Sequence, residues 1–478
     1  MMKALEKRNS KTVPFQAGVA ILSVMTGFGC ARKAEPPPNF VIIFTDDQGY
    51  NDLSCYGATH VNTPNIDRMA EEGIRLTSFY VAGPLSSPSR SALMTGSYPK
   101  RIGLAEGSRF IVLLSNDKWG LNPEEITIAE LLKTKGYATG IFGKWHLGDA
   151  PEFLPTKQGF DEFFGLPYSH DIHPYHPRQK FFHFPSLPLY EGDTVIELDP
   201  DADYLTQRIT KKAVDFIVRH RDEPFFLYIP HPMPHMPLHV SPPYMKEVSD
   251  SIIEILKKEN RDIDYQTRKA LFPQVIKELD WSVGEVLRTL EENGLNERTF
   301  IFFATDNGPF VGSAFPLRGK KGSTYEGGMR VPGIMRWPGH IPPGQVSDEL
   351  VTAMDILPTF AYLSGASVPD DRIIDGSNIW PILAGEEGAV SPYEKFFYHR
   401  RDKLVAVRSG KWKLHRDGAT GLELYNLKED ISESHNVAED HPDVVERLME
   451  YMEAFDREMS DPSMTRPVGT TEPKSNQP

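Results

Sequence analysis

Four short segments of this chain carry side chains that could do chemistry: Asp46-Asp47, Lys144-Trp145-His146, His231 with His235, and Asp306-Asn307. Asp46, Asp47, Asp306 and Asn307 offer three carboxylates and an amide oxygen. These are hard donors with no thiolate or imidazole among them, a set that suits calcium or magnesium. Arg90, Lys144 and Lys321 bring fixed positive charge, while His146 and His235 can exchange protons near neutral pH. A pocket made of them would suit a tetrahedral oxyanion. Taken singly, each has an ordinary explanation, since acids cap turns, lysines sit at surfaces and histidines satisfy loops. HPMPHMPLH (231–239) holds three histidines, and His231 and His239 keep that ordinary explanation. SSPSRSALMTG (86–96) by itself reads as a serine-capped helix with Pro88 in its first turn and an exposed arginine.

What unites these residues is their place after short apolar runs. NFVIIF (39–44), ATGIFG (138–143), PFFLYI (224–229) and RTFIFFA (298–304) read as buried strands. Helical patterns fall at 66–72, 126–135, 204–220 and 273–292, the last with Val275, Leu279, Val283, Val286 and Leu290 on one side. Such alternation predicts an α/β fold with a mostly parallel sheet between helices. In an open sheet of that kind the carboxyl ends of the strands converge on one crevice, so the four clusters should meet there. Past residue 342 come a helix ending at Gly365, an irregular link, four short strands between 395 and 427, and an amphipathic helix over 442–459. This predicts a large domain over 39–385, a smaller α+β domain with an antiparallel sheet over 386–462, and a disordered tail over 463–478.

With 478 residues, 40% of them hydrophobic, the chain can bury a large core, and its net charge of −14 disfavours nucleic acid as a partner. Residues 1–30 read as an export signal, basic and then apolar but too short and interrupted to span a bilayer. Cys30 and the proline-rich linker 31–38 look like a bacterial lipoprotein processing site and tether. The chain is thus expected outside the cytoplasm, in the periplasm or on the cell surface through a lipid on Cys30. The only other cysteine, Cys55, leaves stability to the core and not to disulfides.

SSPSRSALMTG resembles the signature of the formylglycine-dependent sulfatases, in its serine-type form. FTDDQGYNDLSCYG, GKWHLG, GLPYSHD, PHMPLH, ATDNG and LRGKKGSTYEGGMRVP look like segments of arylsulfatases of the arylsulfatase A type, in matching order over about 39–340. ELYNLKEDISESHNVA resembles the C-terminal domain of that family. The resemblance implies an alkaline-phosphatase-like fold and a sulfuric ester hydrolase acting on a sulfated carbohydrate or an aryl sulfate. It implies that Ser86 is converted to formylglycine (3-oxoalanine) by a serine-type sulfatase-maturating enzyme. One hydroxyl of the hydrated aldehyde would attack sulfur, and the other would then expel sulfate by elimination.

By the same resemblance, one calcium ion is held by Asp46, Asp47, Asp306, Asn307 and the diol derived from Ser86, and Arg90 orients the diol and the ligands. Lys144 and Lys321 bind the sulfate oxygens, and Ser169 touches them. His146 deprotonates the second hydroxyl, and His235, with Lys321, protonates the leaving alcohol. Lys320 is set aside because the family's lysine directly precedes the Gly-Ser-Thr-Tyr-Glu-Gly-Gly stretch. Loops 103–121 and 170–191, the second rich in aromatic residues, are expected to set specificity. Two other readings stand beside this one. A two-zinc phosphatase or phosphodiesterase of the same superfold usually shows Asp-His-Gly where Asp306-Asn307-Gly308 stands. A binder of sulfated glycans would keep Ser86 unconverted.

Overall fold

The computed structural model describes residues 36–259 and 263–471. The expected export signal and Cys30 lie outside the described residues, as do residues 472–478 of the expected tail. Strands β1 (Asn39–Thr45), β2 (Ile74–Tyr80), β3 (Ala138–Lys144), β4 (Glu162–Leu166), β5 (Pro188–Glu191), β6 (Thr194–Leu198), β7 (Phe225–Pro230), β8 (Thr299–Thr305) and β9 (Arg330–Arg336) lie in one mixed sheet. The short strands Gln345–Ser347 and Val351–Thr352 pair along β2. The spatial order from that edge is β2, β9, β8, β1, β7, β3, β4, β5, β6. Strands β8, β1, β7, β3 and β4 are parallel, β9 runs antiparallel to both β8 and β2, and β5–β6 is an antiparallel hairpin.

The central strands read as unbroken apolar runs because both faces of the sheet are covered. In β1, Phe40, Ile42 and Phe44 enter one core cluster while Val41 and Ile43 enter the other. In β8, Phe300, Phe302 and Ala304 alternate with Ile301 and Phe303 in the same way, as the two-residue period of a strand requires. Helices α1 (Pro64–Glu71), α4 (Leu205–Arg219) and α5 (Phe272–Glu292) cover the second face. Helices α2 (Ser86–Thr95), α3 (Ile128–Lys133) and α6 (Ile356–Ser364) cover the first, where α6 ends on Gly365 in the left-handed conformation. The C-terminal strands Phe396–Arg400, Lys403–Ser409, Trp412–Gly418 and Gly421–Asn426 form an antiparallel sheet in sequence order. Helix α7 (Pro442–Ser460) packs on it through Val444, Leu448, Met452 and Phe455, which belong to the same cluster as the first face of the large sheet. The smaller lobe therefore shares its core with the larger one. Among the described residues no helix is long and apolar enough to cross a membrane.

The ordinary explanation of the segment at 86–96 fails, and the disorder expected from residue 463 does not hold over the described part of the tail. The helix at 86–95 has no serine cap: its N-cap is Leu85 with no side-chain hydrogen bond, and all ten residues are buried, Arg90 included. Ser86 is instead the first helical residue, its hydroxyl turned to Asp46 and not to the helix backbone. Residues 463–471 are ordered. Arg466 donates to Ser97 Oγ at 2.9 Å and to Glu125 at 2.7 Å, and Gly469–Thr470 pairs with Trp119–Gly120. A polar, proline-containing composition predicts disorder here, but one arginine with buried partners outweighs it.

Phe40 stacks on Phe360 at 4.1 Å and on Tyr137 at 5.7 Å. Phe40→Ala is expected to cost about 3–5 kcal/mol of stability. Urea unfolding measures it, and a change below about 1 kcal/mol would mean that this aromatic layer does not hold the sheet to α6.

Candidate active site

The carboxyl ends of β1, β3, β7 and β8 meet at one edge of the sheet, as their parallel pairing dictates. Thr45 and Thr305 are register partners, so Asp46 and Asp306 leave the sheet side by side. The Asp47 N–H then donates to Asp306 Oδ1 at 3.1 Å. Because β2 runs antiparallel to β9, and β9 to β8, β2 ends at this same edge and delivers α2 with Ser86 in its first turn. There the unsatisfied N–H groups and the helix dipole favour negative charge.

Ser86 Oγ lies 3.2 Å from Asp46 Oδ1 and 3.3 Å from Lys144 Nζ, and Lys144 Nζ is 2.6 Å from Asp46 Oδ2. Arg90 lies beneath, giving two hydrogen bonds to Asp306 Oδ2, at 3.1 and 2.8 Å, and one to the Lys144 carbonyl. Lys321 Nζ reaches Asp47 Oδ1 at 2.7 Å. Three carboxylates, Asp46, Asp47 and Asp306, thus face three cations, Arg90, Lys144 and Lys321. Burial works against the Asp46 carboxylate, but Lys144, His235 and Arg90 prevail and hold its pKa below the ordinary value. Burial lowers the Lys144 pKa, with Asp46 opposing. For Lys321 burial is outweighed by Asp47, Asp46 and Asp306, and the pKa rises.

Two histidines face the cavity above these charges. His146 Nε2 lies 2.8 Å from the Leu113 carbonyl, so it carries the hydrogen and leaves Nδ1, buried and unpartnered, as the basic nitrogen. Burial, then Lys144 and Arg90, hold this ring well below its ordinary pKa, neutral at pH 7. His235 Nδ1 lies 2.6 Å from the Met236 carbonyl, which leaves Nε2 toward Asp47 Oδ2 at 3.7 Å. Asp47 and His146 both hold left-handed backbone, with φ of 65° and 62°. For non-glycine residues this costs about 1–3 kcal/mol each and persists only where the surroundings impose it.

Asp46, Asp47 and His235 place ligand atoms within 4.8 Å of one another, a group that could hold a cation. Asn307 Nδ2 donates to Asp47 Oδ1 at 2.7 Å while Asn307 Oδ1 is buried without a partner. A half-turn of that amide would aim its oxygen at the same point. An orphaned buried oxygen beside two carboxylates fits a hard cation. Asp306 adjoins the group, with Oδ1 on the Asp47 N–H and Oδ2 on Arg90, and His235 lies within the same reach.

The site opens into a cavity of about 440 Å³ lined by Ser86, His146, Ser169, His235 and Lys321, with Asp47 on its floor. Phe110, from loop 103–121, and Phe182 and Phe184, from loop 170–191, form a wall, joined by Tyr265 and Phe310. Nothing in the sequence singles out Tyr265 and Phe310, because lone aromatic residues in polar segments carry no periodic signal. Asp171, quoted within GLPYSHD but given no role, lines the cavity with its Oδ1 3.9 Å from His235 Nδ1. His231 and His239 lie elsewhere: His231 Nε2 meets Ser282 Oγ at 3.0 Å, and His239 pairs with Asp203 at 2.7 Å. Burial pushes the His231 pKa down to about 3. Lys320 is exposed.

The sequence profile of the family described as Sulfatase matches residues 38–366, and that described as N-sulphoglucosamine sulphohydrolase, C-terminal, matches 320–458. The chain is 38% identical to human arylsulfatase A over 424 residues, covering 83% of this chain and 77% of that protein. It is 37% identical to N-acetylgalactosamine-6-sulfatase of the dog over 420 residues, 83% of this chain and 75% of that one. Among solved structures, Ps i-CgsB in complex with k-i-k-neocarrahexaose superposes with a TM-score of 0.74 at 31% identity, covering 90% of this chain and 95% of that one.

Arg90→Met would leave Asp306 buried without its ion partner. In chelator, this variant is expected to lose about 3–5 kcal/mol by urea unfolding. An unchanged midpoint would show that Asp306 does not depend on the guanidinium.

Proposed function

Because the chain belongs to the sulfatase family and hydrolyses sulfate esters, we propose that its substrates are sulfated carbohydrates and that it acts through a formylglycine formed from Ser86 beside one calcium ion. The observation that carries this reading is the setting of Ser86, on the cavity floor in the first turn of α2, with Oγ between Asp46 and Lys144. Calcium held by Asp46, Asp47, Asp306 and Asn307 supplies Lewis acidity, lowering the nucleophile's pKa and offsetting charge on the sulfate. The aldehyde hydrate supplies one hydroxyl to attack sulfur and a second whose deprotonation lets sulfate depart.

The chain's own residues do the rest. Lys144 and Lys321 hold the sulfate oxygens and stabilise the charge that builds there, and Ser169 adds a hydroxyl contact. Arg90 fixes Asp306 from below. His146 Nδ1, the unprotonated nitrogen of a neutral ring, accepts the proton of the second hydroxyl. His235 Nε2, aided by Lys321, gives a proton to the departing alcohol. The cavity has room for a sugar ring, and the wall of Phe110, Phe182 and Phe184 suits the apolar side of one. The names of the dog enzyme and of the neocarrahexaose complex support a carbohydrate. The reading includes export, with a lipid on Cys30 tethering the chain in the periplasm or at the cell surface, and a serine-type maturating enzyme as partner.

The Ser86 peptide from protein coexpressed with that enzyme is expected to be lighter by two hydrogens, with about one calcium per chain by elemental analysis. Full activity from wholly unmodified serine, or stoichiometric zinc in two sites, would overturn the reading. His146→Ala is expected to cleave once and stall with a sulfate-sized mass added to the Ser86 peptide. His235→Ala is expected to lose more activity on sugar sulfates than on activated aryl sulfates, whose phenolates leave without a proton. Equal losses on both would remove His235 from proton donation.

A further inference from the structure

Lys321 sits on a compact turn between β8 and β9 whose two ends are tied to the smaller lobe. At one end the Arg318 guanidinium donates to the Glu433 carbonyl and to Tyr425 Oη, each at 2.9 Å, and stacks 3.9 Å over the Tyr325 ring. At the other end the Glu326 N–H donates to Glu433 Oε2 at 2.6 Å. The turn is closed by Gly327 N–H to the Arg318 carbonyl at 2.7 Å, and Gly322 N–H donates to the Pro84 carbonyl at 2.9 Å, two residues before Ser86. One carboxyl-bearing residue, Glu433, therefore holds both ends of the turn through its backbone carbonyl and its side chain.

Glu433 is itself held firmly. Its Oε1 takes Lys413 Nζ at 2.9 Å and His415 Nε2 at 3.1 Å, and Lys413 Nζ also meets Glu326 Oε1 at 2.8 Å. Glu326, Glu433 and Lys413 are all fully buried. Glu433 has a φ of 52°, a left-handed conformation that a non-glycine residue keeps only under constraint. The constraint is visible: Asp430 accepts the Ser434 and His435 N–H groups at 2.7 and 2.8 Å and shapes the bend that presents Glu433. Buried charge held in a strained loop is a costly way to join two lobes that already share an apolar core.

We propose that Glu433, with Lys413 and Arg318, is a positioning residue for Lys321, clamping the 318–326 turn so that the ammonium stands against Asp47 at the scissile sulfate. This rests on the reading of Lys321 as a sulfate-binding group. Glu433 is buried and does not line the cavity. It acts by denying the turn other conformations, so the lysine arrives already aligned, which is worth most in the transition state.

The test uses Glu433→Gln and the less buried Arg318→Met, each alone and combined with Lys321→Ala, with folding followed by thermal unfolding. Each is expected to lower kcat/KM by about tenfold or more in the wild-type background and by less than about twofold where Lys321 is already gone. Acylation of Lys321 by an amine reagent, read by mass spectrometry against exposed Lys320, is expected to rise several-fold in both variants. Equal losses in both backgrounds, or unchanged acylation in folded Arg318→Met, would overturn the proposal. Should Glu433→Gln fail to fold, Arg318→Met alone decides. Wild-type protein inactive on sulfate esters would count against the parent reading, while the acylation result would still decide this one.

Discussion

Three carboxylates and three cations cannot be buried together unless they nearly neutralise one another, and this balance governs the catalytic edge of the sheet. Parallel register brings Asp46 and Asp306 out side by side, two negative charges that would repel in a medium of low dielectric. Arg90, at the second turn of α2, answers Asp306, and Lys144, at the end of β3, answers Asp46. Both cations come from elements placed by the core: β3 pairs with β7 and β4 in the sheet, and α2 buries Ala92, Leu93 and Met94 in the first apolar cluster. The charge constellation is thus built by the same contacts that close the core. A ligand cation and an anionic substrate would enter a site whose own charges already cancel.

The third cation is placed differently. Lys321 comes from a loop, and loops have no apolar face to hold them in register. The smaller lobe supplies that hold through Glu433, which is itself paired with Lys413 and takes Arg318 and Glu326 at the two ends of the turn. This explains why the antiparallel sheet and α7 share a core with the large sheet and do not pack as a separate body. A lobe free to move would carry the lysine's anchor with it.

Much of the architecture was legible in the sequence because central parallel strands are apolar throughout, as β1, β7 and β8 are. Strands β2, β4 and β9 were not: IRLTSFY, EFFGL and RVPGIMR mix charge, glycine and proline with apolar residues. Only their pairing in the sheet makes them strands. The convergence of the Asp46, Lys144, His235 and Asp306 segments was predicted from the rule that strand ends share a crevice. The orientation of side chains was not. Nothing local says that Asp306 leans toward Arg90 or that His235 leans toward Asp47, because those choices are settled by charges hundreds of residues away. For the same reason Arg466, isolated in a polar tail, gave no sign of its buried partners.

Every residue of α2 is buried, and the segment that closes over its far end comes from the last stretch of the chain, where Arg466 reaches Ser97 and the Arg101 carbonyl. The helix is therefore sealed only after more than three hundred further residues have been synthesised and docked. An enzyme that must grip the backbone around Ser86 has a window in time and not a surface in space. On the proposed reading, maturation would then belong to the nascent or still unfolded chain, and a molecule that finished folding with an unaltered serine would have passed its chance.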